Sequence, residues 1–158
     1  MYFGGKNTNL NEEVIRALGH AYFCALNRKA TEIGVEDLFV GLCSALGDTA
    51  LVYFEDPQKA KTSAEMISQR HGNRFDVFHF PASAQKGPIE TDSEGREVAY
   101  AGPFLFPGSE VNEIMETAQQ SAESQSGRKV NLNDVMTAFA KCQSTLLEQN
   151  YGVFFKES

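Results

Sequence analysis

His20 and Cys24 stand four residues apart in NEEVIRALGHAYFCALNR, a spacing that brings both to one side of a helix. There an imidazole can draw the proton from a thiol and make a nucleophile. Catalysis by such a pair also needs a donor for the developing oxyanion and an acid that orients the imidazole, and no neighbouring residue supplies either. His20 therefore reads as an ordinary helix residue. His71 and His79 complete the histidines, and none of the three falls in an H-x3-H or HExxH spacing. Cys24, Cys43 and Cys142 lack CxxC spacing and sit in apolar helical patterns, so they are expected as buried free thiols rather than metal ligands. The acidic run ETDSEGRE at 90–97 lacks the D-x-[DN]-x-[DN]-G spacing that wraps calcium and reads as a solvated turn. No G-x-x-x-x-G-K-[ST] is present, so nucleotide hydrolysis is not expected. The residues point to no catalytic centre, metal or cofactor.

Recognition is the alternative to catalysis. Glu12, Glu13 and Glu36 fall at predicted helix starts, where carboxylates complement the helix dipole and can also favour basic partners. The aromatic set Phe75, Phe78, Phe80, Tyr100, Phe104 and Phe106 is concentrated in one segment. Two readings of it stay open: a hairpin packed onto the helices, or a surface left partly exposed as a docking groove or strand edge, with Phe78 and Phe104 as anchors. A net charge of −7 opposes binding to nucleic acid, whose phosphates need clustered Lys and Arg, and to anionic lipid. No apolar run reaches the ~20 residues that span a bilayer, and MYFGGKNTNLNEE lacks the apolar centre of a signal peptide. A cytoplasmic protein is expected.

The elements that must position these residues follow from periodicity. With 158 residues and 42% hydrophobic content, the chain suits one domain or two small units sharing a core. Val14, Leu18, Ala21, Tyr22 and Ala25 recur at helical spacing, predicting a helix over 11–28 with Asn11 as its cap. A second helix is predicted over 35–46, a short one over 48–54, and another over 57–71 beginning at Pro57. Residues 71–108 change texture: RFDVFHF and EVAYAGPFLF flank a polar, Gly- and Pro-containing middle, predicting a β-hairpin or an extended connector. Helical spacing resumes at Ser109, read as a cap, and after a turn at 126–129 a last helix runs to about Asn150.

A shift of 97 residues lays 14–46 on 111–143 without a gap. Val14 meets Val111, Leu18 meets Met115, Ala21 meets Ala118, Leu38 meets Val135, Leu42 meets Phe139 and Asp37 meets Asp134. Each half is a helix–turn–helix unit too small to bury its own apolar face, so pairing the halves would close one core. The repeated Asp opens the second helix of each unit, where a carboxylate satisfies free N–H groups.

The pattern A-x3-A followed by I-G-x-E-D-L-x-x-G-L, with its echo a repeat later and the MYFGG start, resembles the double-repeat N-terminal domain of Clp-type AAA+ unfoldases. The resemblance implies an all-α domain over 8–153: one repeat at about 8–71, a connector at about 72–108, and a second repeat at about 109–153. It implies a non-enzymatic module that binds a peptide, substrate or adaptor and works with a Clp-type ring in chaperone or proteolytic function. In some members, pockets at the start of each repeat's second helix bind phosphoarginine through an acidic residue. Glu36 holds that place in the first repeat and Asn133 in the second, where the carboxylate that pairs with a guanidinium is absent. The connector is longer and more aromatic than the family's linker, and the second repeat lacks the fourth helix usual there. The alternatives are an accessory subunit of a Clp protease or secretion machine that presents no substrates, and a small hydrolase or thiol enzyme on a helical scaffold.

Overall fold

Asn11 sets the first helix. Its side chain accepts the Val14 N–H at 3.0 Å, Glu12 and Glu13 follow in the first turn, and the helix α1 runs over Glu12–Asn27. The computed structural model describes residues 2–3, 6–7, 10–70, 89–91, 97–99, 106–125 and 127–157. Further helices are α2 (Val35–Leu46), α3 (Asp48–Leu51), α4 (Pro57–Arg70), α5 (Ser109–Ser124) and α6 (Leu132–Tyr151). Among the described residues the protein is mostly helical, in keeping with the all-α expectation. No helix among them is long and apolar enough to cross a membrane.

The strands are short: β1 (Tyr2–Phe3), β2 (Lys6–Asn7), β3 (Glu32–Ile33), β4 (Ile89–Thr91), β5 (Glu97–Ala99) and β6 (Phe106–Pro107). β1 pairs antiparallel with β2, β4 antiparallel with β5, and β3 parallel with β6. The connector thus holds a hairpin, but its arms differ from those expected. β5 opens the second aromatic run, whereas β4 comes from the polar middle, and the run at 74–80 lies outside the described residues.

The helix boundaries need small corrections. Ser109 is the first helical residue of α5; the cap is Gly108, which offers no side chain. α3 ends at Leu51, short of the expected Phe54. α6 contains a break that the sequence did not signal: Gln143 has φ −137° and ψ 21° inside it.

α1 packs on α2 and α5 on α6, and the two pairs meet where α1 touches α6 and α2 touches α5. The α1–α2 crossing is close because Gly41 faces it: a Cβ there would lie 2.5 Å from the Ala17 carbonyl oxygen and 2.6 Å from the Ala21 nitrogen. One core unites both pairs, with Leu18, Leu38 and Leu42 from the first and Ile114, Met115 and Phe139 from the second, joined by Phe54 and Ile67.

Two main-chain clasps bind the pairs to each other. Leu10 bridges Val130 in parallel, and the Asn11 N–H donates to the Val130 carbonyl at 2.9 Å. Ile33 pairs with Pro107 in parallel, and the Gly108 N–H donates to the Ile33 carbonyl at 2.8 Å. In both, the residue that caps the first helix of one pair bonds to the residue two positions before the second helix begins in the other. Each clasp satisfies a main-chain N–H at a helix entry.

Candidate functional site

Each second helix opens on a buried carboxylate held from several sides. Asp37 accepts the Gly34 N–H at 2.8 Å and the Arg28 guanidinium in a two-pronged pair, Nε to Oδ1 at 2.9 Å and Nη2 to Oδ2 at 2.6 Å. Asp134 accepts the Asn131 N–H at 2.9 Å, the Ser121 hydroxyl at 3.3 Å and the Arg128 guanidinium, whose Nη2 lies 2.8 Å from Oδ1. Asn131 returns the bond through its own side chain, accepting the Asp134 N–H at 2.9 Å. The Arg128 bond holds the Asp134 carboxyl below the usual carboxylate range, against the opposing cost of burial. Hydrogen bonding to the aspartates raises both arginines above the ordinary value. These pairs fix the turn between the helices of each unit, the structural role expected of Asp37 and Asp134.

Beside these turns lie the residues expected to recognise a partner. Asn133 is exposed in the first turn of α6 and its Oδ1 accepts the Tyr53 hydroxyl at 3.3 Å. Glu13, exposed at the start of α1, is near the same ring: burial pushes the Tyr53 hydroxyl up, and the charges of Glu13 and Asp134 add to the rise. The fold therefore joins Tyr53 to Asn133 by a hydrogen bond, with Glu13 near enough for its charge to act on the Tyr53 hydroxyl and exposed Glu12 beside Glu13 in sequence. Glu36 is half-buried in the first turn of α2, where its charge adds to the field on Arg28. It belongs to the other turn. Phe78 and Phe104 lie outside the described residues.

Tyr53 was missed from sequence. It follows α3 without capping or periodic signal, and only the fold sets it over the start of α6. The carboxylates of Glu12 and Glu13 and the amide oxygen of Asn133 can accept hydrogen bonds from a cationic side chain.

The groups first considered for chemistry sit elsewhere. His20 is buried and its Nδ1 shares a 3.0 Å hydrogen bond with the Ser44 hydroxyl, tying α1 to α2. Cys24 and Cys43 are buried, and burial pushes the Cys43 thiol up, away from the reactive thiolate. Cys142 departs from the expectation of burial: it is half-buried, with its Sγ 3.6 Å from the Thr117 hydroxyl. Among the described residues, no group of three or more His, Cys, Asp or Glu could hold a metal ion. Comparison with family models, curated proteins and solved structures finds no match to this chain.

Proposed function

We propose that this chain is a non-enzymatic protein-interaction module of the Clp N-terminal type, binding a peptide, substrate or adaptor in association with a Clp-type unfoldase. In this reading, 8–71 and 109–153 are two copies of one helical unit related by an approximate twofold. The observation that carries it is the reciprocity of the clasps. A shift of 97 residues turns Asn11 into Gly108 and Val130 into Ile33, so the bond from Asn11 to Val130 becomes the bond from Gly108 to Ile33 with the repeats exchanged. The helix limits agree: the same shift carries α1 onto α5 and the start of α2 onto the start of α6. Both the equivalent Asp37 and Asp134 also hold an arginine.

The binding surface in this reading is the rim of Glu12, Glu13, Tyr53 and Asn133, with Glu36 at the related position in the first repeat. Its acids favour a basic partner. Affinity capture from the source cells with the tagged full chain tests the reading. A Clp-type AAA+ ring recovered with cargo supports it, and a ring that never carries cargo replaces it with the accessory-subunit alternative. Recovery of no ring refutes both. Where a ring is captured, Glu13→Lys is expected to weaken its binding about tenfold at low salt, by slowing association.

A further inference from the structure

We propose that residues 153–156 are a displaceable strap, seated in a strand-addition site that an extended peptide bearing an aromatic side chain can occupy instead. The strap follows a well-anchored point. Tyr151 is tied to the end of α4 by the Arg70 guanidinium, which reaches its hydroxyl at 3.4 Å and lies 5.7 Å from the ring centre. Gly152 then turns the chain through a left-handed φ of 63°.

Beyond that turn the strap is held by three main-chain hydrogen bonds and two side chains; the first bond, from the Val153 N–H to the Leu147 carbonyl at 3.2 Å, closes the end of α6. The Glu55 N–H donates to the Phe154 carbonyl at 2.9 Å, and the Lys156 N–H donates to the Tyr53 carbonyl at 2.9 Å, which makes Phe54 and Phe155 an antiparallel bridge. Val153 is buried. The half-buried Phe155 ring rests 4.8 Å from Phe54 and 5.4 Å from Phe139. Phe154 on the opposite side is 45% exposed, and Lys156 and Glu157 are exposed. Few contacts thus hold the segment, the condition under which a local element opens without the rest of the fold.

What it covers is suited to another occupant. With the strap away, the Glu55 N–H and the Tyr53 carbonyl form a donor and acceptor two residues apart, the pattern that receives an added strand. Phe54 and Phe139, both fully buried in the closed form, line the place of the Phe155 ring. An entering chain would supply the same two main-chain bonds and an aromatic side chain at one position. The strap is attached to its site, so its local concentration keeps the site closed against weak competitors. This proposal is independent of the Clp-type reading, and its test uses no ring.

The experiment has two parts, both on the full chain. Amide hydrogen exchange is expected to show Glu55 and Lys156 exchanging together, about a hundredfold or more faster than Phe39 and Phe139 in the core. If they exchange only as slowly as the core, the strap opens only with global unfolding and the proposal fails. In the second part, a fluorescent peptide of sequence GVFFKE is titrated by anisotropy against the wild type and Phe155→Ala. The variant should bind it about tenfold more tightly or better, having lost the ring that competes for the pocket. GVFAKE should bind neither. Equal binding to both proteins, or of both peptides, overturns the proposal. Should Phe155→Ala fail to fold, as circular dichroism would report, the exchange measurement decides.

Discussion

Asp134 shows how much one side chain settles. Arg128, the Asn131 N–H and Ser121 all bond its carboxylate, so its pKa in the folded protein lies below that in the unfolded chain. A depressed carboxylate stabilises the fold fully above its unfolded value, and that stabilisation disappears as pH falls through the folded value. Asp134→Asn is therefore expected to cost about 1–3 kcal/mol at neutral pH, from losing a buried acceptor with charged partners. The gap between variant and wild type in urea denaturation should shrink progressively below about pH 4, near the unfolded carboxylate value. A gap unchanged at pH 3 would contradict this account. The aspartates were legible in sequence as helix starters, but their arginines were not. Arg28 precedes Asp37 by a longer stretch than Arg128 precedes Asp134, and the 97-residue shift does not carry one onto the other. Long side chains reach the same place from different backbone positions, which a register comparison cannot see.

At the scale of elements, the α1–α2 crossing makes a sharp claim. Alanine ordinarily improves a helix over glycine, yet at Gly41 its Cβ would strike the backbone of α1. Gly41→Ala is expected to destabilise by about 1–3 kcal/mol, because backbone cannot move aside as a side-chain tip can. The same shift takes Gly41 to Ala138 in α6, a buried position that already holds the methyl, and Ala138→Gly should lose about 1–2 kcal/mol from helix propensity and the buried methyl together. Thermal or urea melts of the two variants would compare these costs; a neutral Gly41→Ala would mean the helices have room to part. Helices were readable because apolar spacing repeats over several turns. The break at Gln143 was hidden because neither glycine nor proline marks it, and two-residue strands such as β3 and β6 are too short to show any alternation. The hairpin was legible only in part: β5 falls in the expected run EVAYAGPFLF, but its partner β4 comes from the polar middle, where no sustained alternation of aromatic or β-branched residues marks a strand, and 74–80 lies outside the described residues.

For the whole molecule, one core draws buried side chains from both helix pairs, which ties the burial of each pair to the presence of the other. It also explains which part of the candidate site could be foreseen. Glu13 and Asn133 were marked by their places at helix starts. Their meeting at Tyr53 depends on how the pairs dock, and docking leaves no local trace in sequence. The same dependence makes the rim a report on assembly: anything that shifts one pair against the other separates its members.

The clasps also bear on the order in which the chain is expected to fold. Each helix pair joins neighbours in sequence, whereas the bonds from Asn11 to Val130 and from Gly108 to Ile33 close very long loops. The helix pairs can assemble early and the clasps late, so damage to a clasp should appear in the unfolding arm of a chevron plot. Gly108→Pro removes one clasp donor at a residue whose φ of −65° already suits proline; its ring takes the place of the N–H, so the Ile33 carbonyl and the Glu32 carboxylate, 3.2 and 3.0 Å from where a Cβ would stand, must both give way and the clasp is forced open. Stopped-flow measurements should find unfolding accelerated and refolding nearly unchanged. Refolding slowed in proportion to lost stability would instead place the clasp in the folding nucleus, and the two halves would then be partners from the first committed step.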